Sequence, residues 1–207
     1  MLNGNKLVVI LPVFLMIFLF VGGAVYVQQS EEVTNEALHE EVEWDTLMTH
    51  NGENEGLTTL RAAWEWTAMP SEGLAGEDYI GVTFLDEDGQ PMQAELADES
   101  HIHLTYGNEV VYEDEAVSVE NGFVFSFPNE TDEHQSFGDR GNIEVTVETE
   151  DNPQRAIVSY LHTWEAHDGL EKTDARFFEP VLSGMRDSDS SYWVIERYVD
   201  NEESANE

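Results

Sequence analysis

The chain of 207 residues has no cysteine. No disulfide can staple it, no thiolate can serve as nucleophile or metal ligand, and lipid attachment through an N-terminal cysteine is excluded. Any core must therefore hold by packing alone. Positive charge is nearly as scarce. Eight Lys+Arg stand against 44 Asp+Glu, a formal net charge of −36. Phosphate recognition needs clustered Lys and Arg, so nucleic acid is not expected as a partner. Close approach to an anionic membrane surface is disfavoured for the same reason. Catalytic signatures are missing too: there is no G-x-S-x-G elbow, H-E-x-x-H, P-loop or G-x-G-x-x-G. The body also lacks any long amphipathic helical pattern.

One stretch has no charge at all. Leu7 to Val27 reads LVVILPVFLMIFLFVGGAVYV. At ~1.5 Å per residue it would span about 31 Å as a helix, enough for a hydrocarbon core of ~30 Å. A cleaved signal usually has an apolar region of only ~7–15 residues. Gly22-Gly23-Ala24 offers a small-residue cleavage site, but the apolar run continues through Val27. The reading is an uncleaved transmembrane signal anchor over 7–27, with a secreted body as the alternative if the signal is removed. Pro12 would kink the span, which membrane helices tolerate. Lys6 precedes the stretch and the next basic residue is Arg61. Positive residues stay inside, so 1–6 is expected to be cytoplasmic and the body outside a cell membrane crossed once.

After Val27, seven basic residues face all 44 acidic ones. Soluble domains usually carry a net charge of magnitude ~2–8. The acids are spread along the body, which reads as a surface matched to salty or alkaline surroundings, a halophilic or alkaliphilic adaptation. At 1 M salt the Debye length is ~3 Å, and self-repulsion fades.

Residues 28–56 are polar and acidic and read as a stalk. Leu38, Val42 and Met48 share a rough helical spacing, so a short helix within 34–48 is a minor variant of that stalk. From Leu57 the period becomes two. Leu60, Ala62, Trp64, Trp66 and Ala68 alternate with Arg61, Ala63, Glu65 and Thr67. The shared face places both tryptophans in a core. Further strands are read at Ile80–Phe84, Met92–Leu96, Ile102–Tyr106, Val117–Val119, Phe123–Phe127, Ile143–Val147, Ile157–Trp164 and Tyr192–Val199. Many short strands without long helices predict an all-β sandwich over 57–201. Residues 202–207 read as a disordered tail.

Two turns have one form, Glu87-Asp88-Gly89 and Glu120-Asn121-Gly122. Three-residue loops would pair Phe84 with Met92, Val82 with Ala94 and Ile80 with Leu96. In the second they would pair Val119 with Phe123 and Val117 with Phe125, placing all four on one face. Gly89 and Gly122 would then take positive φ.

The run from Val82 to Pro91, VTFLDEDGQP, resembles the strand–turn–strand of bacterial immunoglobulin-like surface domains. The resemblance implies an immunoglobulin-like β-sandwich ectodomain used for adhesion or interaction, with no activity attached.

Candidate sites are few. His101 and His103 alternate on one strand and share a face; His162 and His167 follow on or after a later one. Together they would suit Zn²⁺ or Cu²⁺. Asp86, Asp88, Asp187 and Asp189 supply oxygens of the kind Ca²⁺ takes, although neither cluster completes an EF-hand. The irregular segment 167–191 holds Lys172, Arg176 and Arg186. It reads either as a ligand-facing loop or as a cover packed down by Phe177, Phe178 and Leu182. The resulting reading is a membrane-anchored, extracytoplasmic acidic module that binds another surface or membrane protein. A metal- or calcium-binding module is the second reading, and a carboxylate-dependent extracellular hydrolase the third.

The charge makes one prediction. The thermal midpoint of the protein should rise along a NaCl series as repulsion is screened. A flat or falling midpoint contradicts it.

Overall fold

Alternating apolar residues build two packed antiparallel sheets in the computed structural model, which describes residues 15–16, 18, 32–50, 56–97, 100–132, 135–149, 152–184 and 191–201. The chain divides into two units, one through Val33 and one from Thr34 onward. In the first, Leu15, Met16 and Phe18 are helical. Among the described residues no helix is long and apolar enough to cross a membrane. The rest of the expected anchor over 7–27, Lys6, and the expected tail at 202–207 lie outside the described residues.

The second unit begins with a 3₁₀ turn, Leu38–Glu41, that leads into β1 (Val42–His50). Next come β2 (Leu57–Trp66), β3 (Glu77–Leu85), β4 (Glu95–Leu96), β5 (His101–Tyr106) and β6 (Glu109–Glu115). Then follow β7 (Val117–Val119), β8 (Gly122–Pro128), β9 (Glu130–Asp132), β10 (Gln135–Phe137) and β11 (Arg140–Glu148). The chain finishes with β12 (Arg155–Thr163), β13 (Gly169–Leu170), β14 (Leu182–Ser183) and β15 (Tyr192–Asp200). Sheet A runs β1-β2-β11-β5-β6, with β4 also paired to β11. Sheet B runs β15-β12-β3-β8-β7. Strands β9 and β10, and β13 and β14, form two small separate pairs.

The stretch read as a stalk departs from that expectation. Residues 42–50 are extended, not helical, and β1 pairs with β2 along its whole length, Val42 opposite Trp66 and His50 opposite Thr58. Leu38, Val42 and Met48 are buried. Val42, Trp44 and Met48 also fit a period of two, and an open edge of sheet A was there to be paired. Short apolar patterns of this kind do not separate helix from strand.

The core between the sheets is aromatic. Trp64 on β2 meets Phe127 on β8 at 5.2 Å and Tyr160 on β12 at 6.1 Å between ring centroids. Such pairs add about 0.5–1.5 kcal/mol beyond the area they bury. Phe84, Phe123, Phe125, Leu60, Ile102 and Leu104 complete this layer.

Along its central strands the outer face of sheet B is buried as well. From Asp78 to Leu85 every residue of β3 is buried, as is every residue of β12 after Arg155. Tyr79, Val124 and Leu161 point away from sheet A into a second cluster with Ala175 and Phe177. The segment after β12 thus lies on sheet B as a lid of the chain's own making. A side chain at Gly81 would forbid this: a Cβ there would stand 1.7 Å from the Ala175 carbonyl oxygen.

Double burial also explains both turn outcomes. At Glu87-Asp88-Gly89 the three-residue loop forms. Met92 N donates to Phe84 O at 3.0 Å, Asp88 and Gln90 N–H groups donate to the Asp86 carboxylate, and Gly89 has φ +75°. The longer pairing does not follow, because β12 and β8 already flank β3. Leu96 pairs with Val147 in sheet A instead. At the second turn Val119 faces Gly122, Ser118 faces Phe123 and Val117 faces Val124, closing a two-residue loop, Glu120-Asn121. Gly122 has φ +151°. The expected register of Val119 with Phe123 is therefore wrong. It assumed one buried face, whereas the phenylalanines enter the inter-sheet core and Val119 packs beside the outer cluster.

Gly81→Val should lift the lid. Overpacking typically costs ~1–3 kcal/mol, and faster amide exchange over 173–178 should accompany the lowered denaturant midpoint. Unchanged exchange there contradicts this packing account.

Candidate functional site

The four histidines do not converge. His101 and His103 lie on the outer face of β5, with ring centroids 5.9 Å apart, and both approach Glu113 Oε1, at 3.5 and 3.6 Å. His162 points into the inter-sheet core, where its Nδ1 lies 2.8 Å from Asp78 Oδ2. His167 lies beyond β12 against Thr163 Oγ1 and Tyr79. Sheet A lies between the first pair and the buried His162, and His167 lies farther off, against Tyr79. Among the described residues no three His, Asp or Glu side chains are arranged to hold a metal ion. The Zn²⁺ or Cu²⁺ site expected from spacing is not assembled, because the topology puts the strands on different faces.

Asp86 is occupied by the turn. It accepts N–H bonds from Asp88 at 3.0 Å and Gln90 at 2.7 Å, and the Asp88 side chain is exposed. Asp187, Asp189 and Arg186 lie outside the described residues.

Lys172 and Arg176 hold the lid to sheet B. Lys172 Nζ donates to Ser126 Oγ at 2.9 Å and stands 5.9 Å from the Tyr79 ring centroid. Arg176 forms a fork on Glu196, at 2.7 and 2.9 Å, which raises its pKa further above the usual guanidinium range. Asp174 organises the turn between them. Its carboxylate accepts from the N–H groups of Arg176 and Phe178 and from Asn121 Nδ2. Burial works against its charge, but these hydrogen bonds win and hold the carboxyl below its ordinary pKa. They also support Phe177 at φ +55°, a conformation that costs a non-glycine residue about 1–2 kcal/mol. Burying its ring in the outer cluster offsets that cost. Phe178, expected to pack inward, is exposed and lies under the Arg176 guanidinium, 4.4 Å away.

The outer face of sheet A is different, since its residues stay exposed or half-buried. Register arranges them in rows. Asp45, Ala63, Asn142, His103 and Glu113 cross five strands in one row. Leu47, Arg61, Glu144, His101 and Glu115 form the next. Ala63 is the smallest member of its row and leaves a trough. Hollows of 340 Å³ and 440 Å³ adjoin there, sharing Asp45, Ala63 and Asn142. Two ion pairs wall it, Arg61 on Glu144 at 2.9 and 3.1 Å and Arg140 on Glu65. Arg61 keeps the Glu144 carboxyl below its ordinary range, the reverse of what a general acid needs. Glu43 and Asp45, on the β1 side, are exposed and make no hydrogen bond or ion pair with described residues. Period-two alternation along β1, β2 and β11 carried the signal for these rows. The register between strands was invisible in it.

No protein-family model matches the sequence, and no curated protein matches it. Solved structures resemble it at low identity. A T6 backbone pilin of serotype M6 Streptococcus pyogenes aligns at 12% identity and a TM-score of 0.43, over 78% of this chain and 35% of the pilin. The chain thus spans about a third of that pilin's length. A collagen-binding domain from a Staphylococcus aureus adhesin aligns at 9% identity and 0.33, over 76% of this chain and 97% of that domain. AvmM, which catalyses macrocyclisation in alchivemycin A biosynthesis, aligns at 8% and 0.36, over 83% and 95%.

The Asp174 turn should be measurable by pH. Its folded pKa lies below the ordinary 3.8, so its contribution is present above that value and is lost as pH falls through the lower folded one. Asp174→Ala should cost about 1–2 kcal/mol at neutral pH and flatten the acid limb of the stability profile. Equal acid limbs in the two proteins would count against it.

Proposed function

We propose that the chain is a membrane-held interaction module of the cell surface, an immunoglobulin-like β-sandwich that binds its partner on the outer face of sheet A. The observation that carries this reading is an asymmetry. Sheet B is closed on its outer side by the segment after β12, while sheet A keeps a walled trough open around Ala63 and Asn142. The apolar stretch 7–27 supports the anchor, and Lys6 supports the orientation.

The occupant we favour is an extended polypeptide segment carrying Lys or Arg. Asp45 and Glu43 line the trough without a partner among the described residues, and the chain's net charge is −36. Opposite charge steers such a segment in and repels acidic competitors. A second copy of this chain is a poor occupant by the same argument.

Calorimetry of the full chain in detergent with a lysine-bearing peptide and an acidic peptide of equal length tests this. The lysine peptide should bind saturably at moderate salt and the acidic one should not. Ala63→Trp, which fills the trough without changing charge, should weaken binding about tenfold or more. Binding that ignores Ala63→Trp, or that accepts both peptides equally, overturns the proposal.

A further inference from the structure

A carboxylate and an imidazole lie fully buried side by side where residues 34–41 join the sandwich: Asp78 on β3 and His162 on β12. The hydrogens around them can be counted. Asn129 Nδ2 directs its two to Asp78 Oδ1 at 3.0 Å and Thr163 O at 2.6 Å. None is left for His162 Nδ1, although that atom is 3.3 Å away. Asp78 Oδ1 accepts a second bond from Thr163 N at 2.9 Å, and Oδ2 accepts the Tyr160 hydroxyl at 2.8 Å. Oδ2 also faces His162 Nδ1 at 2.8 Å. On the other side of the ring, Nε2 faces Asn35 Oδ1 at 3.2 Å. The Asn35 amide is oriented by its own donations, Nδ2 to Gly73 O at 3.1 Å and to Glu72 Oε2 at 3.4 Å. Its oxygen therefore turns to the ring. Both ring nitrogens face acceptors, and both must carry hydrogen.

We propose that Asp78 and His162 form a buried carboxylate–imidazolium pair that latches residues 35–41 to the sandwich, and that loss of one imidazole proton opens the latch.

Asn35 is the part that moves. Its backbone carbonyl accepts the Trp193 indole N–H at 2.8 Å, and the Trp193 ring lies 4.8 Å from that of His162. Leu38, three residues on, is fully buried. The charged and titratable groups facing the pair are few. Tyr160 reaches Asp78 directly, Glu72 acts through Asn35, and Asp139 acts on Tyr160. Trp66, Trp164 and Trp193 wall the imidazole with apolar rings. Tyr160 is held neutral far above its usual range, first by burial and then by the negative charge of Asp78. With two protons on the ring, both of its nitrogens donate, one to Asp78 and one to Asn35. When one leaves as pH rises, Asp78 loses its counter-charge, and a ring lone pair is left facing either Asp78 Oδ2 or Asn35 Oδ1. Breaking one side of a buried pair in this way is costly. The latch therefore holds at lower pH and weakens as pH rises. It is independent of the docking face on sheet A.

Nuclear magnetic resonance of the full chain in detergent tests it through the His162 ring nitrogens and amide protection over 36–41. Where the segment is protected, both nitrogens should be protonated. As the ring titrates, protection over 36–41 should fall roughly a hundredfold to a thousandfold while the centres of β3 and β12 stay protected. Asn35→Ala should lose that protection at every pH with the ring still paired to Asp78. A ring nitrogen without hydrogen in the protected state, or protection that ignores the titration, overturns the proposal.

Discussion

The central strands of sheet B, β3, β8 and β12, are buried on both faces, and the rest of the architecture follows from that. The chain has no disulfide to lean on and a surface charge that repels itself, so apolar burial has to supply the stability. Three strands, β3, β8 and β12, serve two cores at once. One set of alternate residues meets sheet A, and the other meets the chain's own lid. Strands buried on both sides read as nearly continuous apolar runs rather than alternations, as Ile157 to Leu161 does. Gly81 lets the lid backbone come close, and Asp174 shapes the turn that delivers Phe177.

Within that doubly buried sheet lies a cost that packing alone cannot meet. Asp78 points into the inter-sheet core, where a lone carboxylate would be strongly unfavourable. It is tolerated because four donors surround it: the Tyr160 hydroxyl, the His162 ring, the Asn129 amide and the Thr163 N–H. The network reaches through His162 to Asn35, so the start of the folded unit is tied to the middle of its chain. Satisfied networks of this kind rigidify what they join.

Sheet A carries the opposite assignment. Its inner face completes the aromatic core, and its outer face is left to solvent. Small and paired residues decide its shape. Ala63 opens the trough, and two arginines, among the few cations the chain has, bind glutamates along its walls. With so few positive groups available, their use there leaves Glu43 and Asp45 beside the hollow without an ion-pair partner among the described residues.

Much of the fold was legible in the amino-acid order. Alternation from Leu60 to Trp66 and from Ile143 to Val147 marked strands with a buried side, and the absence of cysteine and of long helical periodicity pointed to an all-β sandwich. Asp78 stands in phase with Ile80, Val82 and Phe84, so a buried acid could have been read there. Other features were decided only by tertiary structure. Alternation fixes which residues share a face of one strand, but not which strands become neighbours. It therefore could not show that His101 ends on an outer face while His162 is buried between the sheets, or that Asp45, Ala63 and Asn142 line up across three strands. It also misassigned the register at Val119, because the phase rule presumes one wet face and its partner β8 has none. Local sequence determined the strands and their charge; pairing between distant segments determined the trough, the lid and the buried network.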